Sequence, residues 1–155
     1  VENQRGITYF GLFGPYLAGA KKIVVEDAYV RKPYQLRNLA EFLEMLLRCK
    51  NPDEDVAVHL VTGHNEPGFM EAQLDGLNEL ASTFSQLGVN LTYEFRDTLH
   101  DRSITADTGW EILPGRGLDI FQKFVDGDWL NPLLRHQQLR RVKECKVTYR
   151  RVSEK

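Results

Sequence analysis

A chain of 155 residues has the length of one domain and can bury most of its apolar surface without disulfides or a structural metal. Its 42% hydrophobic and 27% charged residues are those of an ordinary globular protein, which excludes a disordered or fibrous one. The two cysteines, Cys49 and Cys145, are far apart and have no CxxC spacing, which excludes a zinc ribbon and a disulfide framework, and no apolar run approaches the ~20 residues of a membrane span.

These counts predict a reducing, cytoplasmic setting with no metal and no cofactor. No signal peptide is visible, and a first residue other than Met predicts the C-terminal part of a longer protein with a further domain upstream. The net charge of −2 hides an asymmetry. Residues 135–155 hold eight Lys/Arg against two Asp/Glu, and the rest of the chain holds twelve against twenty. A basic tail on an acidic body suits an anionic partner, although an edge strand guarded by lysine and arginine would read the same way.

In chain order, residues 7–20 (ITYFGLFGPYLAGA) mix aromatics and glycines and predict a short helix or turn packed on the body. KKIVVED (21–27) reads as a buried strand. Pro33 suits a first helical turn, and Leu36, Leu39, Ala40, Leu43, Leu46 and Leu47 keep helical spacing to about Cys49. VAVHLVTG (56–63) is a near-continuous apolar strand, so an interior one, and His59 within it is expected to be a hydrogen-bonded core residue. Met70, Leu74, Leu77, Ala81, Phe84 and Leu87 form a helical stripe, core or dimer interface, that stops at Gly88.

VNLTYEF (89–95) alternates as a half-buried strand does. RSITAD and GWEILPG then predict a hairpin turning at Asp107-Thr108-Gly109, with Trp110 more at home in the core than at an interface. LDIFQKFV (118–125) suits a short helix, GDWLNP a loop, and CKVTYRRV (145–152) a late strand. The β-α-β-α-β order of the first two-thirds predicts an α/β domain with a mixed, largely parallel sheet flanked by helices, in one unit over residues 1–155.

The chemistry concentrates in residues 98–117. His100 follows the third strand, at the end where α/β sheets place ligands. Arg102, two residues on, shares its face if the segment is extended. A guanidinium offers a planar fork of donors suited to phosphate oxygens, and an imidazole can attack phosphorus or carry a proton near neutral pH. Asp107 could return to hold the imidazole or could cap the hairpin. Gly115-Arg116-Gly117 adds backbone freedom and a second guanidinium. Arg102 and Arg116 have a plainer reading as ion pairs to Asp101, Asp107 or Asp119.

The spacing His100-x-Arg102-x₄-Asp107, followed by glycines, resembles the H-x-K-x₄-D signature of the phospholipase D superfamily. A more specific resemblance covers nearly the whole chain. Glu26, Asp27, Tyr29, Arg31, Gln35, Leu36, Asn38 and Phe42 make one ordered block. His100, Asp101, Arg102, Ile104, Gly109, Trp110, Gly115, Arg116, Gly117, Leu118, Asp119 and Phe121 make another. Together they resemble the phospholipase D-like domain that follows an MIT (microtubule interacting and trafficking) domain.

That resemblance implies a phospholipase D-like fold, a homodimer, and a non-catalytic module binding phosphate-bearing anions. These would be acidic phospholipid or phosphoinositide headgroups at a membrane surface, with nucleic acid a less favoured partner. Carried over by position, His100, Arg102, Arg116 and Arg31 would contact the anion, while Glu26, Asp27 and Asp119 would support them. The chain departs from the superfamily in having Arg102 where a Lys is usual, a single motif, and no serine in the 115–117 loop. Asp107 keeps a phosphodiesterase or nuclease reading open, with His100, Arg102 and Asp107 as the catalytic candidates and the active site completed by a second copy. A regulatory or interaction domain of a multidomain ATPase or protease is the third alternative.

Overall fold

The computed structural model describes residues 8–99, 101–115, 118 and 147–152. Helix α1 (Tyr9–Leu17) starts at Thr8, whose hydroxyl accepts from the Gly11 N–H at 2.9 Å, and buries Tyr9, Phe13 and Leu17. Strand β1 (Lys22–Glu26) alternates exposed and buried positions. Helix α2 (Pro33–Cys49) opens on Pro33, and the Gln35 side-chain oxygen reaches back to the backbone N–H groups of Arg31 and Lys32. Strand β2 (Val56–Thr62) follows, then a 3-10 turn (Pro67–Phe69), helix α3 (Met70–Ser85) and strand β3 (Val89–Phe95). Gly88 stops α3 with a φ of 86°, the left-handed conformation that glycine adopts without strain. Strands β4 (Ser103–Ala106), β5 (Trp110–Pro114) and β6 (Val147–Arg151) complete the sheet.

The six strands lie in the order β3-β2-β1-β4-β5-β6. Only β1–β2 and β2–β3 pair in parallel, while β1–β4, β4–β5 and β5–β6 are antiparallel. The sheet is therefore mixed, and parallel over one half rather than largely so. The reason is the supply of crossovers. A parallel pair needs a long connection, which α2 and α3 provide twice. After β3 the chain instead enters β4 on the far side of β1, running the other way. Gly109, at φ 92°, then turns the hairpin.

One apolar cluster holds the layers together. Phe13, Phe42, Leu43, Leu46 and Leu77 from the helices meet Ile23, Val25, Val58, Leu60, Ile104 and Ile112 from the strands. The stripe on α3 is narrower than its spacing suggests. Its buried positions are Gln73, Leu77 and Phe84, whereas Leu74 and Leu87 stay exposed. Gly76 lies where a Cβ would meet Leu36 Cδ1 at 2.7 Å, so α2 and α3 approach closely there. His59 faces away from this core. Both its ring nitrogens are engaged, Nδ1 with Thr92 Oγ1 at 2.7 Å and Nε2 with Glu94 at 2.8 Å, and it is satisfied on the outward face of the sheet rather than inside. The reason is the period of the strand, since Ala57 and His59 alternate outward between Val56, Val58 and Leu60.

Trp110 is half-buried, edge-on to Tyr16 at 4.8 Å. The part of the basic tail that is described is an edge strand, in which Arg150 pairs with Glu111 and the Arg151 guanidinium lies 5.4 Å from the Trp110 ring centroid. The expected helix at 118–125, the loop at 127–132 and residues 135–146 fall outside the described residues, apart from Leu118.

Candidate functional site

The carboxyl ends of β1, β2 and β3 lie side by side, and β4 starts at the same edge. Open α/β sheets bind ligands at such an edge, where a central strand has neighbours that depart in different directions. Each strand end contributes one loop. Asp27, Tyr29 and Arg31 follow β1, Gly63, His64 and Asn65 follow β2, and Asp97 follows β3. Arg102 leads into β4, and Gly115 leaves β5.

Buried polar groups fasten these loops. The Gln73 side chain, 1% exposed, donates to Val30 O at 3.1 Å and to Gly63 O at 2.9 Å and accepts from the Asn65 N–H at 2.8 Å. Thr62 Oγ1 accepts from the Val30 N–H at 3.1 Å, and Asn65 Nδ2 donates to Arg31 O at 3.3 Å. Asp27, 4% exposed, accepts from the backbone N–H groups of Tyr29 at 3.0 Å and Leu118 at 3.2 Å. Such partners are what allow polar side chains to be buried at all. Gly63 is needed by close approach, because a Cβ there would meet Ala28 O at 3.0 Å.

On this frame sit two cations and one ring. The Arg31 guanidinium carbon lies 4.7 Å from the Tyr29 ring centroid, and that of Arg102 lies 4.9 Å from it. Tyr29 is exposed, so both cations stack on an aromatic surface at the edge of solvent. Arg31 Nη1 donates to His64 O at 3.0 Å. Arg102 Nη1 donates to Gly115 O at 3.2 Å, and its Nε is 3.9 Å from Asp27 Oδ1. Beside Arg31, the His64 backbone N–H donates to Asp97 Oδ1 at 2.8 Å, and His64 Nδ1 lies 2.9 Å from Asp97 Oδ2. The imidazole stacks on Phe95, with centroids 4.1 Å apart. Those contacts from His64, its backbone N–H first and its ring second, hold the Asp97 carboxyl below its ordinary range.

Arg31 and Arg102 therefore meet on the Tyr29 ring, with Asp27 beside Arg102. Glu26 shares the strand end but alternates onto the outward face, so the bracing falls to Asp27. Arg102 takes its acidic neighbour from Asp27, not from Asp101 or Asp107. Asp107 lies at the far end of β4, where both carboxylate oxygens accept from the Lys21 N–H, at 3.0 and 3.3 Å, and its own N–H donates to Lys22 O. It caps the hairpin and is a strand's length from Arg102. His100, Arg116 and Asp119 lie outside the described residues.

Four residues were missed in the sequence. Tyr29 had no assigned task, although an aromatic two residues before Arg31 was a readable signal. His64 and Asp97 were readable from register, because Thr62 pairs with Phe95 and each stands two residues beyond its strand's end. Gln73 was hidden within an apolar stripe. Among the described residues there is no cluster of His, Cys, Asp and Glu able to hold a metal. The arrangement can bind an anion through guanidinium and imidazole groups at a sheet edge.

The family described as the phospholipase D-like domain at the C-terminus of MIT matches residues 6–151. MIT domain-containing protein 1 of Mus musculus is 37% identical over 123 residues, which are 79% of this chain and 49% of that protein. The chain thus spans about half the length of that relative.

Proposed function

Given that the chain belongs to the family of phospholipase D-like domains at the C-terminus of MIT, we propose that it binds a phosphate-bearing anion without turning it over, namely the headgroups of acidic phospholipids and phosphoinositides. The observation that carries this reading is the sharing of the Tyr29 ring by Arg31 and Arg102 at the carboxyl end of the sheet. Stacked guanidiniums keep donor edges for an anion while the ring fixes their planes. Attachment is to the membrane surface, and among the described residues no helix is long and apolar enough to cross a membrane.

A phosphodiesterase would want an acid beside the imidazole of the motif. Asp107 is engaged with Lys21 at the other end of the strand, which favours binding over turnover.

Sedimentation with phosphatidylcholine vesicles, with and without phosphatidylinositol phosphates, tests the reading. The protein should pellet with the anionic vesicles, and less so as salt rises, because exposed charge contacts are screened. Arg102→Ala and Arg31→Ala should each weaken attachment about tenfold, the size of a lost charge-assisted hydrogen bond. Attachment unchanged by both substitutions, or none at all, would remove the proposal.

A further inference from the structure

His64 lies outside the residues that the family resemblance marks, and its ring has no evident structural task. The loop that carries it is already held by Gln73 at Gly63 O and Asn65 N, and by Asp97 Oδ1 at the His64 N–H. The contact between Nδ1 and Asp97 Oδ2 is additional to these. The His64 side chain is 36% exposed and that of Asp97 66% exposed, so the pair adds little to stability. What the contact does is orient the ring. A carboxylate at Nδ1 keeps a proton there and turns Nε2 outward, and stacking on Phe95 fixes the plane. Nε2 meets no hydrogen-bond partner among the described residues. Arg31, one of the two proposed anion contacts, donates to the carbonyl of this same residue.

Asp97 approaches from the loop after β3 and Arg31 from the loop after β1. Glu66 follows in the same loop as His64, and Glu71 lies in the first turn of α3, both exposed. Arg96, next to Asp97, is turned toward Glu94 at 3.4 Å. Asp97 remains ionised wherever an imidazole titrates, because His64 holds its carboxyl below the ordinary range.

We infer that His64, its ring oriented by Asp97 and its backbone carbonyl held by Arg31, is a proton-carrying contact of the anion site, and that the site prefers phosphomonoesters. This inference rests on the anion-binding reading above and names its ligand class. A phosphomonoester exchanges its second proton at about pH 6, close to the range of imidazoles at ~6.5. One proton can therefore be held between Nε2 and a phosphate oxygen. A phosphodiester has no second proton to share, so it accepts from an imidazole only when the imidazole brings its own proton, and otherwise meets only the guanidiniums.

The test uses phosphatidylcholine vesicles containing either phosphatidic acid, a monoester, or phosphatidylglycerol, a diester, at matched charge, from about pH 8 to about pH 5.5. The wild-type chain should prefer phosphatidic acid about tenfold in the middle of this range, where one proton is shared, the size of one charge-assisted hydrogen bond, and lose the preference at its alkaline end. His64→Gln should bind the two vesicle types alike. Asp97→Asn, which still accepts from the His64 N–H but no longer fixes the ring through a carboxylate at Nδ1, should weaken the preference.

Calorimetric titration with inorganic phosphate in buffers of different ionisation enthalpy supplies a soluble arm. Proton uptake by the wild-type chain but not by His64→Gln supports the contact and identifies free phosphate as a ligand. Uptake with phosphatidic acid vesicles alone supports it for a lipid-borne monoester. If His64→Gln keeps both the preference and its pH dependence while Arg102→Ala weakens attachment, the inference falls and the anion-binding reading stands. If the wild-type chain attaches to neither vesicle type and takes up no phosphate, both fall.

Discussion

Asp27 and Asp107 are both aspartates that accept from backbone N–H groups, at opposite ends of the β1–β4 pair. Asp27 is buried, holds the N–H groups of Tyr29 and Leu118, and lies 3.9 Å from the Arg102 guanidinium. Asp107 is exposed and gives both oxygens to the Lys21 N–H. At the first end the carboxylate positions loops that carry side chains toward solvent. At the second it closes a turn, and Gly109 completes the same turn. In the proposed reading, one sheet thus separates a binding edge from a closing edge. Loops that follow parallel strands must be long enough to enter helices, so they can carry ligand-binding groups, whereas a tight hairpin leaves little backbone to carry any.

The largest effect should come from removing what joins the loops. Gln73→Leu deletes both donors and the acceptor that serve Val30 O, Gly63 O and Asn65 N in a buried setting. Backbone groups left buried without partners cost about 1–3 kcal/mol each, so a destabilisation of about 3 kcal/mol is expected, read from the midpoint of urea unfolding. Anion attachment should weaken as well, because the loops of Arg31 and His64 lose their common tie. A Gln73→Leu protein that unfolds and binds as wild type would mean that the carboxyl end does not depend on this side chain.

The closing edge should respond differently. Gly109→Ala places a Cβ at φ 92° and 3.2 Å from the Arg151 guanidinium, so a cost of about 1–2 kcal/mol is expected by thermal unfolding, with no change in anion attachment. Asp107→Asn keeps an acceptor for the Lys21 N–H and should leave attachment as it is. Attachment lost with Asp107→Asn would return that carboxylate to the binding edge and break the contrast.

Most of the fold was legible, and the reasons are local. The strand at 89–95 was readable to its ends because Val89, Leu91 and Tyr93 alternate in period with Asn90 and Thr92, and Gly88 marks its start. The parallel half followed from helices between strands. The direction of the second half did not, because residues 96–102 contain no signal that β4 lies on the far side of β1, running the other way. The site was legible only where residues close in sequence carried it. Arg31 and Arg102 lay in recognisable blocks, but their meeting at Tyr29 depends on a register between distant strands. The spacing of His100, Arg102 and Asp107 suggested convergence, yet Asp107 belongs to the turn because β4 is four residues long and carries it to the other end. His59 misled because a near-continuous apolar run hides a period of two.

The smallest effect compares two histidines that each face a carboxylate. His59 has both ring nitrogens engaged and so has none left for a ligand, whereas His64 uses only Nδ1. The Glu94 carboxyl is lowered first by the His59 side-chain hydrogen bond, and the Asp97 carboxyl first by the His64 backbone N–H. His59→Ala removes the main cause at Glu94, while His64→Ala keeps the main cause at Asp97. A carbon-detected NMR titration should show the Glu94 carboxyl rising toward its ordinary range in His59→Ala by more than the Asp97 carboxyl rises in His64→Ala. Both folded-state values are depressed, so the stability each contributes is present above the unfolded carboxylate range of about pH 4 and is lost as pH falls through the lowered value. His59→Ala should shrink that loss and leave anion attachment near neutral pH unchanged. If attachment instead falls with His59→Ala as far as with His64→Ala, the binding edge extends onto the outward face of the sheet, and the division between the two ends is drawn in the wrong place.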